Sequence, residues 1–93
     1  MSNFKVRATL VEKRGVQQIT DNYAKRDFIA EIHDGKDGKY NQSPMFYVSN
    51  KNTGLIDNWQ EGEEKVLHFG IRAKAWNDKV FNNLEVYKIE EII

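Results

Sequence analysis

Asn50-Lys51-Asn52-Thr53-Gly54-Leu55-Ile56-Asp57-Asn58 is the stretch on which the fold turns. It interrupts an otherwise alternating chain. Ser49 or Asn50 is placed to cap one or two helical turns that would carry Leu55 and Ile56. Upstream the pattern predicts three strands. Phe4, Val6, Ala8 and Leu10 alternate with Lys5, Arg7 and Thr9, and the run continues loosely to Val16 and Ile19 with Gly15 as a bulge or bend. Thr20-Asp21-Asn22 forms a turn, Ala24–His33 a second strand with Phe28, Ala30 and Ile32 on one side, and Pro44–Ser49 a third. Downstream, after a turn at Gln60–Glu63, two more strands follow over Lys65–Trp76 and Lys79–Glu91, joined at Asn77-Asp78. Three strands, a helical connection and two strands is the order of an OB-fold, a five-stranded Greek-key barrel. An SH3-like barrel would lack the connection, and a sandwich would want more strands.

Residues 1–93 are read as a single domain, since the chain has no room for a second core. A core of this size is thin, and no cysteine is present to staple it or to bind a metal as thiolate. Fourteen basic and fourteen acidic residues cancel. Their distribution is uneven, with bases at Lys5–Arg14, Lys25-Arg26 and Arg72–Lys79 and acids at Asp57–Glu64 and Glu85–Glu91. No apolar run approaches the ~20 residues of a membrane span. Met1–Lys5 lacks the apolar core of a signal peptide. The expectation is a cytoplasmic protein.

The chemistry concentrates in Gly70–Phe81. Arg72, Lys74 and Trp76 fall two residues apart and so share one face of a strand, while Ile71, Ala73 and Ala75 take the other. Lys79 and Phe81 arrive just after the turn. Cations that lead to an indole, with another ring nearby, suit a single strand of nucleic acid: phosphates meet the cations and unstacked bases meet the rings. Tyr47, opposite in phase to Phe46 and Val48, is expected to face outward as a further stacking ring. Tyr23 and Tyr40 are weaker versions of the same idea, and Trp59 is read as a packing residue. An ordinary barrel can also carry Trp76 as a rim residue, and Lys25 and Arg26 as a solvated pair.

The runs Gly70-Ile71-Arg72-Ala73-Lys74-Ala75-Trp76 and Lys79-Val80-Phe81-Asn82-Asn83-Leu84 resemble strands four and five of bacterial single-stranded DNA-binding proteins. Lys25-Arg26-Asp27 together with Trp76–Leu84 is similar to a family of short bacterial and phage OB-fold members. The resemblance implies a non-catalytic, largely sequence-independent single-stranded DNA-binding protein of replication, recombination or repair. It implies contacts from Lys25, Arg26, Tyr47, Arg72, Lys74, Trp76, Lys79 and Phe81. A single OB-fold covers only ~4–16 nucleotides, so a homodimer or cooperative homo-oligomer is expected, with Ile92-Ile93 and the strand edges as candidate contacts. Glu90-Glu91-Ile92-Ile93 only faintly echoes the long acidic-tipped tail of bacterial members, so recruitment of partners through such a tail is not expected. The rival class is an OB-fold protein-interaction module, which the zero net charge favours. RNA is a third reading.

No cofactor, metal or small-molecule substrate is expected. The loop Asp34–Lys39 lacks the following glutamate of an EF-hand and reads as a hairpin loop. His33 and His68 have no partner at ligand spacing, and Ser43, Ser49, Thr20 and Thr53 have no nucleophile context. Glu61, Glu63 and Glu64 read as a solvated face, so no enzyme site is assembled.

Overall fold

A computed structural model of the chain describes residues 3–33 and 41–92. The loop at Asp34–Lys39 and Tyr40 lie outside the described residues. Five strands, β1 (Phe4–Thr20), β2 (Tyr23–Ile32), β3 (Met45–Ser49), β4 (Glu64–Trp76) and β5 (Lys79–Glu90), close into a barrel in the order β1-β2-β3-β5-β4. All pairings are antiparallel except a short parallel contact, Phe46 to Leu84 and Tyr47 to Glu85, that joins β3 to β5. This is the OB-fold.

Closure depends on β1, a 17-residue strand that pairs β4 through Phe4–Thr9 and β2 through Ala8–Thr20. Its register with β2 shifts at Leu10/Glu12, Lys13/Val16 and Gln18/Thr20. Such irregularities bend a strand sharply enough to serve two neighbours. Gly15 sits in the second of them, where the sequence placed a bend.

The inward phase of each strand fills the interior. Ala8 and Leu10, Phe28 and Ala30, Phe46 and Val48, Leu67 and Phe69, and Val86 form one buried cluster. Its rings pack at 5.4–5.7 Å between centroids, Phe28 on Phe46 and edge-on to Trp59, Phe46 edge-on to Phe69. Lys65 shares this phase. Its stem is buried while its ammonium reaches Glu91 at 2.5 Å.

The connection between β3 and β4 departs from expectation. Only Asn50–Asn52 is helical, as a 3-10 turn, and the rest is a chain of i+3 turns. Ser49 makes no capping bond, its hydroxyl being donated instead to Glu85 on β5. Asn50 takes a left-handed φ of 49° and uses its side-chain oxygen to accept from the Ala24 N–H at 3.0 Å. The start of the segment is therefore pinned to β2. Ile56 and Trp59 plug one end of the barrel, and Leu55 stays exposed. The Trp59 indole N–H donates to the Glu63 carbonyl at 2.9 Å, which satisfies its polar atom in the interior.

Beyond Gly70 on β4 and Leu84 on β5 the two strands leave the barrel as a free ribbon. Every residue from Ile71 to Asn83 is exposed. Asn77 and Asp78 turn it with φ values of 50° and 64°, the paired positive φ of a type I′ hairpin. Ile71, Ala73, Ala75 and Val80 continue the barrel's inward phase but have nothing to cover them, with Ile71 at 47% and Val80 at 64% exposure. The register slip in β5 falls between His68 and Phe69 of its partner, leaving Tyr87 as the extra residue. The slip lets Leu84, Val86 and Ile89 all face the core, although Ile89 falls an odd number of residues from the other two.

Candidate nucleic-acid interface

In an antiparallel pair, residues opposite one another point to the same face. The register pairs Arg72 with Asn83, Lys74 with Phe81 and Trp76 with Lys79. One face of the ribbon therefore carries Arg72, Lys74, Trp76, Lys79, Phe81 and Asn83 together. Trp76 is 64% and Phe81 49% exposed, open to a flat ligand. Lys74, Trp76, Phe81 and Asn83 line a cleft of about 430 Å³. Lys74 and Lys79 have no acidic partner among the described residues.

Asn83 also lines a second cleft of about 400 Å³ with Lys25, Asp27, Met45 and Tyr47, so the ribbon face runs onto the outer surface of β2, β3 and β5. On this floor the cations are engaged. Lys25 lies 3.5 Å from Asp27 and 4.9 Å from the centre of the Tyr47 ring, which it caps. Arg72 donates from Nε to Glu85 Oε1 at 2.8 Å, and Ser49 Oγ donates to Glu85 Oε2 at 2.6 Å. Burial first, and the Glu85 carboxylate second, push the Tyr47 hydroxyl up to about 12, so the ring is neutral at physiological pH. The hydrogen bond to Glu85 raises Arg72 further above its already high value.

The structure does not bring Arg26 to this face. Adjacent residues of a strand point to opposite sides, so Lys25 and Arg26 cannot both look outward. Arg26 shares the phase of Phe28, and its side chain is 14% exposed. It donates to the Arg14 carbonyl at 2.8 Å, to the Thr53 carbonyl at 3.2 Å and to Asp57 at 2.5 Å. Its role is to clamp the β3–β4 connection onto the β1–β2 hairpin. Glu85, Ser49 and Asn83 belong to the face but were not singled out in the sequence. The signal was there for two of them, since Phe81, Asn83 and Glu85 are spaced by two along β5.

The histidines lie elsewhere. His33 Nε2 is 2.6 Å from Thr9 Oγ1 and 3.2 Å from Glu64, and His68 is 3.3 Å from Glu90. No group of three or more His, Asp or Glu side chains that could hold a metal ion occurs among the described residues.

The family described as a domain of unknown function, DUF3127, matches residues 5–90. The chain belongs to that family. No curated protein matches the sequence. Among solved structures, it is similar to the dimeric N-terminal domain of PriB from Thermoanaerobacter tencongensis, with a TM-score of 0.69 and 12% identity over 98% of this chain and 96% of that one. PriB from Ralstonia solanacearum is similar in two structures, with TM-scores of 0.67 and 0.68 at 12% and 11% identity over 97–99% of each chain. These likenesses show a shared OB-fold along nearly the whole chain. The resemblance to short bacterial OB-fold proteins read from the sequence is thus met in bacterial structures.

Proposed function

We propose that the protein is a non-catalytic single-stranded DNA-binding protein. The observation that carries this is the ribbon face, where two unpaired lysines flank two exposed rings on one side of a hairpin that the barrel core does not need. Lys74 and Lys79 take phosphates, and Trp76 and Phe81 stack bases. The strand continues over the floor, where Tyr47 stacks once Lys25 swings from its ring toward the backbone. Arg72 offers its remaining N–H groups. Stacking tolerates any base, so binding is largely indifferent to sequence. Replication, recombination or repair, where single strands arise, is the setting the PriB-like fold supports.

Neutralising each phosphate contact on a single strand contributes about 0.7 to the slope of log K against log salt. Lys74→Gln with Lys79→Gln is expected to reduce that slope for oligo-dT by about 1.4 in titrations from low to moderate salt. An unchanged slope places the phosphates elsewhere.

A second copy of the chain is the partner proposed for the opposite face of the ribbon. Support comes from the dimeric PriB domain and from the uncovered apolar stripe of Ile71, Ala73, Ala75 and Val80. The stripe is short beside the ~800 Å² per partner of a standard interface, so the dimer is concentration-dependent. Sedimentation is expected to show monomer and dimer in exchange, and Val80→Lys to leave monomer only.

The paired cations of the floor favour the rival, a protein-interaction module. It becomes the reading if the intact protein binds no oligonucleotide at low salt.

A further inference from the structure

We propose that Glu85 biases the floor of the groove toward bases bearing an exocyclic amino group, cytosine over uracil or thymine; this rests on the single-strand reading above. Glu85 stands on the outward phase of β5, beside Tyr47 on β3 and opposite Gly70 on β4, which adds no side chain over it. Its two oxygens are held from two sides, by Ser49 Oγ at 2.6 Å and Arg72 Nε at 2.8 Å. The result is a carboxylate fixed in position on a side chain still 22% exposed, paired beside Tyr47 at the border of the proposed path and lining a further cleft with Lys51, Asn52, Gly70, Arg72 and Tyr87.

An anion there has two consequences. It repels phosphate, which directs the backbone toward Lys74 and Lys79 and turns base edges toward the floor. It also selects among those edges. Each carboxylate oxygen has a second acceptor site, so Glu85 can take one more donor without releasing Ser49 or Arg72. A base stacked on Tyr47 presents its edge sideways, toward the neighbouring strand that carries Glu85. Cytosine offers its N4 amino group, a donor that carboxylates accept well. Uracil and thymine place a carbonyl oxygen at the same corner, and two acceptors then face each other. Arg72, engaged only through Nε, keeps its terminal N–H groups for the acceptors next to that amino group.

The test compares labelled oligo-dC and oligo-dU of equal length at pH 8, since these differ in the amino group without a change of ring size. The native protein is expected to bind oligo-dC about 5- to 10-fold more tightly, the lower range for one directed base contact. Glu85→Gln, which can accept or donate, brings the two within about twofold, mainly by tightening oligo-dU. Ser49→Ala, which keeps the charge but loosens it, lowers the preference while both oligonucleotides still bind. Equal affinities in the native protein, or a preference that survives Glu85→Gln, overturn the assignment of Glu85 alone. Binding of neither oligonucleotide refutes the single-strand reading itself.

Discussion

Trp76→Ala is expected to weaken oligo-dT binding by about 5- to 100-fold, the cost of one lost base–ring stack. The indole is 64% exposed at the ribbon's end and packs into no core, so the variant should melt as the native protein does. A loss of affinity without loss of stability separates a ligand platform from a rim-packing residue. Trp76→Phe keeps a ring in place and should recover most of the affinity. Native-like binding by Trp76→Ala would remove the indole from the site.

Trp59→Ala should have the opposite signature, a loss of about 3–5 kcal/mol of folding stability. Trp59 is fully buried at the end of the barrel, edge-on to Phe28 at 5.7 Å, with its N–H donated to the Glu63 carbonyl. Truncation leaves a cavity and removes one of the two hydrogen bonds to the Glu63 carbonyl, which keeps the Leu10 N–H at 3.0 Å. Small domains hold only ~5–15 kcal/mol in total, so the denaturation midpoint should fall steeply. A shift of less than about 1 kcal/mol would mean the β3–β4 connection is not the plug described here.

Those two tryptophans show how much of the molecule is legible in its sequence. Alternation placed the five strands, because burial on one face is what period two encodes, while Trp59, read as a packing residue, lies in the core from the connection between β3 and β4. The bulge in β5 sits where Leu84 and Val86 on one alternation and Ile89 on the other all turn inward, which only an extra residue allows. The helical segment expected over Asn50–Asn58 is present only as the 3-10 turn Asn50–Asn52, because long-range bonds, Ser49 to Glu85 and Asn50 to Ala24, take the groups that would cap a longer helix. Arg26 lies on the inward side because neighbouring residues alternate, a rule the sequence already contained. Ile71, Ala73 and Ala75 keep the inward phase, yet nothing local says that the barrel ends at Gly70. The pairing of Arg72 with Glu85 needs the β4–β5 register, which fixes contacts 13 residues apart.

Titration of the intact protein with oligo-dT, followed by tryptophan emission, decides whether the ribbon binds a single strand. Trp59 is sealed in the core and Trp76 is open, so quenching reports on the ribbon. At low salt a saturable quench is predicted, which moderate salt largely reverses as phosphate contacts are displaced. A flat titration at low salt, confirmed by anisotropy of a labelled strand, would show that the ribbon does not bind single-stranded DNA.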